Sequence, residues 1–438
     1  MGIPTLTTKV TERSDFVTGD ATGLTIPAHP EALMAAGQES LTKLLHAFGS
    51  LGADNRITAM SARPCPGGST GKKLFLTLDY ARPEPGLERV LFAKFSRDFD
   101  DARRDWQRTE MAGEALFMPL TRQPGFPVRA PQAAFADYHA ASGTGFILTE
   151  CIAYGEGRVE PHRRKCLDWQ TMDAPLSYYR ATVTALARIA GAHKSGALGD
   201  GIEAKFPFNP ATGSADPFRY SQAELAVQLQ QGRHFARDCP RLMPPEIRDP
   251  AFLAQLERDV WTVCEHEAAL RAYLISNPAL IALNHWNAHI DNCWFWREQD
   301  ALHCGLIDWG RVGQLTVGAA LWGGLSAAHH DIWDHHLDEL LALFAHEYHA
   351  HGGPLVTPDE LKQHLTLHIA VMAVARLFSA PEIIRFRMPH CTKASGPRDP
   401  MFTPVSMDPP RNYLSVYTTL LKHWRREDFG GAARRLVG

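Results

Sequence analysis

Two short stretches of this 438-residue chain combine residue types that bind hard cations and handle protons. The first reads His285-Trp286-Asn287-Ala288-His289-Ile290-Asp291-Asn292. It precedes two apolar runs, 293–296 and 303–307, separated by Arg297-Glu298-Gln299-Asp300, which is a β-hairpin signature. The second, Leu306-Ile307-Asp308-Trp309-Gly310, closes the returning run. Asn292 leaves the loop and Asp308 ends the second strand, so both oxygen ligands can face one hard cation, as Mg²⁺ between phosphates requires. His289 and Asp291 offer a base or an extra metal ligand in the same loop, and His285 suits a brace that holds the loop by hydrogen bonds.

The order of strand and helix signals supplies the elements that must position these groups. Residues 57–61 and 73–80 read as strands, the latter with Leu74, Leu76 and Leu78 alternating against Phe75 and Thr77. Between them Pro64-Cys65-Pro66-Gly67-Gly68-Ser69-Thr70-Gly71 is a turn. A third strand over 89–95 ends near Lys94, a charged helix is expected over 100–120, and 145–152 reads as another strand. The pattern then turns helical, over 178–193, over 252–274, from the capping box Thr357-Pro358-Asp359-Glu360 to residue 380, and over 411–425. The longest charge-free apolar run, 312–327, reads as a buried helix. The expected organisation is an extension over 1–50, a small β-rich region over 51–152 and a large helical region over 153–438, an α+β fold of two lobes with a cleft between them.

The offsets of the first two stretches are those of the protein-kinase pattern H-R-D-x-x-x-x-N followed by D-F-G, with Asn287 in place of the first Asp. Val90-Leu91-Phe92-Ala93-Lys94 resembles the strand that presents the phosphate-gripping lysine, with Glu114 or Glu110 on the next helix as its partner. Phe146-Ile147-Leu148-Thr149-Glu150-Cys151-Ile152 resembles the last strand and hinge on which adenine docks. Ala185-Leu186-Ala187-Arg188-Ile189-Ala190-Gly191-Ala192-His193 resembles the helix that precedes the catalytic region in small-molecule kinases.

Over residues 57–330 the chain thus resembles the aminoglycoside phosphotransferase and choline kinase superfamily, and within it the ecdysteroid-kinase-like branch. The resemblance implies a protein-kinase-like fold with a β-rich N-lobe and a mostly helical C-lobe. It implies transfer from ATP to a hydroxyl of a small molecule, with Mg²⁺ at Asn292 and Asp308. Lys94 would hold the phosphates, Glu114 would orient Lys94, and Gly67, Gly68, Gly71, Glu150 and Ile152 would contact the nucleotide. The superfamily loop usually begins His-Gly-Asp, whereas here it reads His285-Trp286-Asn287. An amide cannot accept a proton, and a general base is worth roughly 10²–10⁴-fold. Phosphoryl transfer, however, rests mostly on positioning and charge neutralisation. Asn287, helped by His289 or Asp291, is therefore expected to position the acceptor. The alternative is a pseudokinase that binds nucleotide as a regulatory or scaffolding module; nucleotidyl transfer is a third, less favoured reading. A P-loop is excluded, because Pro66 stands where its first Gly belongs and Lys73 where Ser or Thr should coordinate Mg²⁺.

Composition narrows the partners. Lys and Arg total 45 against 48 Asp and Glu, a net charge of -3 without like-charge blocks, which argues against nucleic acid or a polybasic membrane anchor. The 312–327 run is short of the roughly 20 apolar residues a membrane helix needs. No secretory signal is apparent, and the 8 scattered cysteines lack a CxxC pair, so reduced thiols and a cytoplasmic protein are expected. His346-Glu347-Tyr348-His349 misses the HExxH spacing, and with His329, His330, His335, His336 and His351 it is expected on a solvated helical face. Asp331, Asp334, Asp338 and Glu339 suit either a cationic acceptor or that same solvated face.

Overall fold

The computed structural model describes residues 13–65, 71–104, 108–218 and 220–436. Its architecture is α+β, and the chain divides into two compact units, Met1–Tyr154 with Leu306–Val312, and Gly155–Gly305 with Gly313–Gly438.

In the first unit, β1 (Phe16–Thr18) and β2 (Thr25–Pro27) form a short antiparallel ribbon. A helix over Pro30–Ala47 follows, started by Pro30 and by the His29 side chain accepting from Ala32 N. The main sheet is antiparallel and comprises β3 (Ile57–Pro64), β4 (Lys73–Tyr80), β5 (Val90–Phe95), β6 (Ala133–His139) and β7 (Thr144–Glu150), in the order β3-β4-β5-β7-β6. Strand β4 keeps the expected alternation: Leu74, Leu76 and Leu78 are buried in a core with Leu41, Leu44, Phe95, Phe135 and Phe146. Strand β6 had no sequence reading of its own. The expected helix over 100–120 is instead a 3-10 turn at Arg108–Met111, one short α-helix at Ala112–Phe117 and another 3-10 turn at Met118–Arg122. Gly113 weakens a helix there, and Pro119 removes a backbone donor.

The second unit is mostly helical. Its long helix Pro175–Lys194 lies against the helix His330–Ala350, where a Cβ on Gly191 would sit 2.6 Å from Tyr348 O. Three expectations change here. The 252–274 helix bends at His266 into Pro250–Glu265 and Glu267–Ser276. The 312–327 run is not all helix: Gly313–Thr316 pairs as a strand with Ile281–Asn284, and only Val317–Leu325 is helical. The capping box at Thr357 forms, but its helix ends at Met372 in a π-turn, and Pro381 opens the next helix, Ala380–Arg387, because proline suits a first turn. A last long helix, Asp408–Arg426, buries Leu414, Tyr417, Leu421 and Trp424.

Numbering continues with β8 (Ile281–Asn284), β9 (Cys293–Glu298), β10 (Ala301–Leu306) and β11 (Gly313–Thr316). The hairpin β9-β10 turns at Gln299 and Asp300, both with positive φ (49° and 64°), as a two-residue type I′ turn requires. Among the described residues no single helix is long and apolar enough to cross a membrane.

Candidate active site

In the first unit the register of β4 and β5 sets Lys73 directly opposite Lys94. Like charges across a ladder repel, and carboxylates compensate here. Lys94 Nζ lies 2.6 Å from Glu114 Oε2 and 2.6 Å from Asp308 Oδ1, with the Lys94 and Glu114 side chains only 5% and 7% exposed and Asp308 41% exposed. Burial presses on the Lys94 ammonium, but Asp308 and Glu114 outweigh it and hold the group above its ordinary range. Glu114 is pushed up by burial and by Asp308, against the pull of Lys94. Lys73 is pushed down by burial and then by Lys94, and it has no ion pair among the described residues. The Glu110 side chain lies outside the described residues, so the choice between Glu114 and Glu110 rests on Glu114 being in contact.

Local packing explains how these groups are held. Trp309, fully buried, stacks on Phe117 at 4.2 Å between ring centroids and donates Nε1–H to Leu306 O at 2.8 Å, locking the segment that carries Asp308 to the Glu114 helix. A Cβ on Gly113 would lie 3.0 Å from Val312 O, so this residue sets the approach of that segment. Asp308 itself has φ 61°, a left-handed conformation uncommon outside glycine and typical of strained functional positions. Gly71, with φ 51°, passes so close to β5 that a Cβ would fall 1.7 Å from Phe95 O; no other residue fits. Gly67 and Gly68 lie outside the described residues.

Glu150 ends β7 and pairs with Leu91. Its side chain faces a cavity of about 320 Å³ with Tyr80, Glu88 and Arg122, and burial raises its carboxyl. Its backbone N–H is spent on Gln132 O at 2.9 Å, and the Ile152 carbonyl accepts from Tyr154 N at 3.0 Å.

In the second unit the 285–292 loop follows β8. Buried Asn284 anchors it, donating from Nδ2 to Leu186 O at 3.2 Å and accepting from His285 N at 2.9 Å. His285 is fully buried, and its Nδ1 accepts from Asn287 N at 3.1 Å. Asn292 Nδ2 donates to Asn287 O at 2.8 Å, which commits the amide nitrogen and makes the oxygen the atom available to a ligand. Burial, then Lys165 and His285, hold the His289 imidazole well below its ordinary range, and its buried Nδ1 has no hydrogen-bond partner among the described residues. Asp291 is ion-paired to Lys165 at 3.0 Å, and its carbonyl accepts from His162 Nε2 at 2.9 Å.

Several contributors were missed in the sequence reading. Lys73 was signalled by the Lys-Lys pair opening a strand, but only the register shows it opposite Lys94. Lys165 and His162 sit in an irregular segment more than a hundred residues before the loop they hold. Gly323 is a close-approach glycine: a Cβ there would lie 2.2 Å from Trp286 O.

No family model matches this sequence, and no curated protein matches it. Among solved structures, similarity is found to a microcompartment-associated aminopropanol kinase (TM-score 0.43, 14% identity, 85% of this chain and 94% of that one). A choline kinase from Cryptosporidium parvum Iowa II gives a TM-score of 0.40 at 12% identity over 85% of this chain and 91% of that one. An aminoglycoside-3'-phosphotransferase of type VIII gives 0.35 at 19% identity over 76% and 97%.

Proposed function

We propose that the protein is a phosphotransferase that moves the γ-phosphoryl group of ATP to a hydroxyl of a small molecule. The observation that carries this reading is the Lys94, Glu114 and Asp308 cluster, with Lys73 beside it as a cation that has no ion pair among the described residues. A buried lysine held charged by two carboxylates is arranged to grip phosphate oxygens, since an ammonium has three donors and two are engaged here. Lys73 supplies a second positive charge that only an anion would satisfy.

The donor set suits Mg²⁺: a carboxylate on Asp308 and the amide oxygen of Asn292 are hard oxygen ligands, and they flank the two ends of one hairpin in sequence. The ion would neutralise phosphate charge as it develops. The remaining work falls to this chain. Lys94 and Lys73 hold the phosphates, Glu114 keeps Lys94 aimed, and Asn287 and the neutral His289 imidazole orient the acceptor hydroxyl. That oxygen forms a bond to the γ-phosphorus as the bond to the β–γ bridging oxygen breaks. ADP leaves with the electron pair, and the hydroxyl proton passes to a product phosphate oxygen, because Asn287 cannot take it.

Thermal stabilisation by ATP with and without Mg²⁺, in the native chain and in Asp308→Ala, tests the binding part. Stabilisation that requires Mg²⁺ and disappears in the variant supports the reading, and equal stabilisation in both sinks the ligand assignment. Turnover followed by phosphorus NMR, for the native chain and Asn287→Asp, tests the chemistry. Activity only in Asn287→Asp, or none in either with Mg-ATP bound, would favour the regulatory alternative, which Asn287 itself motivates.

A further inference from the structure

The second unit holds a cavity of about 500 Å³ that the nucleotide chemistry leaves unused; Cys166, Trp169, His330, Arg398, Arg411 and Thr418 are among its lining residues. Its wall begins beside the 285–292 loop. Cys166 follows Lys165, whose ammonium is 3.0 Å from Asp291, and Arg411 Nη2 lies 3.4 Å from the Lys165 carbonyl.

The wall is rich in donors whose acceptors are missing. The exposed Arg398 guanidinium sits 4.9 Å over the Trp169 ring and has no carboxylate partner among the described residues. Among the described residues the Thr418 hydroxyl, in a residue 6% exposed, is buried without a hydrogen bond, and so is Nε of Arg411, 4% exposed.

The acids of the wall, by contrast, are already engaged. Asp331 lies 3.0 Å from His329 Nδ1 and 3.2 Å from His330 Nδ1. Asp399 accepts from Ser395 N and Met401 N at 2.8 and 2.9 Å. Asp408, just outside, is ion-paired to Arg411 at 2.6 Å. Asp338 pairs with Lys362 at 3.1 Å, and Glu339 pairs with Arg180. Arg398 is thus the wall's cation without a carboxylate partner among the described residues, and its guanidinium donors, with the Thr418 hydroxyl, suit an acidic oxygen better than a cation.

We propose that this cavity seats the acceptor and that the acceptor carries, besides its hydroxyl, an acidic oxyanion, a carboxylate or a phosphate, held by Arg398 on the Trp169 platform. The seat deepens the phosphotransferase reading and rests on it for the word acceptor; the oxyanion preference rests on the cavity alone.

Calorimetric titration of the full chain with sodium gluconate, glycerate, glycerol 3-phosphate, choline and 2-aminoethanol tests it without nucleotide. Native protein, Arg398→Ala and Thr418→Val are compared, and ADP formation from Mg-ATP is then measured with the same compounds. Arg398 is exposed and in no ion pair among the described residues, so its replacement leaves the fold intact, which the melting temperature checks. Binding of at least one acid, weakened about tenfold or more in Arg398→Ala as loss of a charged hydrogen bond implies, supports the proposal, and the carboxylate and phosphate arms say which oxyanion fits. Binding of the amines alone, binding of no acid, or equal binding by Arg398→Ala overturns it. Acid binding without ADP formation keeps the ligand class and removes the phosphotransferase reading; ADP formation with the amines only does the reverse.

Discussion

Replacing Lys94 by Met tests whether the Lys94–Glu114 pair behaves as a buried ion pair. The two side chains are 5% and 7% exposed at 2.6 Å, so removal of the ammonium strands a desolvated carboxylate. Breaking such a pair costs about 3–5 kcal/mol. The contact with Asp308, 41% exposed, adds little because water screens it. Two features favour the low end: Lys73 remains nearby, and Glu114, already pushed up by burial, can take a proton instead. A loss of about 3 kcal/mol in a unit of about 160 residues corresponds to roughly 6–12 °C in melting temperature. The sign of the pH effect follows. In Lys94→Met the folded Glu114 carboxyl titrates above its unfolded value, so the penalty is present above that unfolded value and fades as pH falls and the group protonates. Adding Glu114→Leu should recover most of the loss, since a packed apolar pair replaces an ionic one at little cost. Calorimetric melting of the native chain, Lys94→Met and the double variant at pH 7 and pH 5 measures all of this. A shift under 1 °C in the single variant, or a double variant no more stable than the single, refutes the reasoning.

Gly323→Ala should lower stability by about 1–3 kcal/mol through overpacking and, on the proposed function, reduce turnover, although the same change in an open helix position gains about 1 kcal/mol, because the new Cβ would sit 2.2 Å from Trp286 O in the 285–292 loop. Gly324→Ala, which meets the movable Leu186 Cδ1 at 2.9 Å, should cost less; melting and kcat of the pair decide it, and equal effects would remove the loop from the explanation. Acid should destabilise the second unit early. Burial pushes His368 down to about 3, with Nδ1 2.6 Å from Ser214 O, and buried His364 and His423 shift the same way. The unfolded chain therefore binds protons first as pH falls below about 6.5, and each such group removes about 1.4 kcal/mol per pH unit until its folded value is reached. Urea midpoints at pH 7 and pH 5 should differ accordingly, and a flat profile would contradict neutral burial of these rings.

Much of the local structure was legible because it depends on short-range rules. Strand β4 follows from strict alternation over Lys73–Tyr80, the Thr357 start from its capping box, and the β9-β10 hairpin from two apolar runs around a polar turn. The failures share one cause, tertiary contacts overriding local pattern. Residues 313–316 join a strand because β8 offers a partner, and periodicity cannot tell a buried strand from a buried helix in so short an apolar run. The 100–120 segment keeps only Ala112–Phe117 as α-helix, with Pro119 unable to donate in the turn that follows and Gly113 packed against Val312 O. Of the histidines expected on a solvated face, His335, His346 and His349 are exposed, while His329 and His330 line the cavity of the second unit.

By itself the sequence determined which residue types were present at which spacing: a lysine ending a strand, an Asn and an Asp bracketing a hairpin, an amide where a carboxylate is usual. These are covalent facts, and the spacing limits which groups a short hairpin can bring together. Only the tertiary structure decided which charges meet. Lys94 finds Glu114 and Asp308, the latter 214 residues away, and Lys73 is placed opposite Lys94 with no ion pair among the described residues. Lys165 captures Asp291, Asp331 lies against two imidazoles, and Arg398 stands over Trp169 without a carboxylate partner among the described residues. The physical reason is that ion pairing and desolvation depend on distances of a few ångströms between segments remote in the chain, and those distances come from packing.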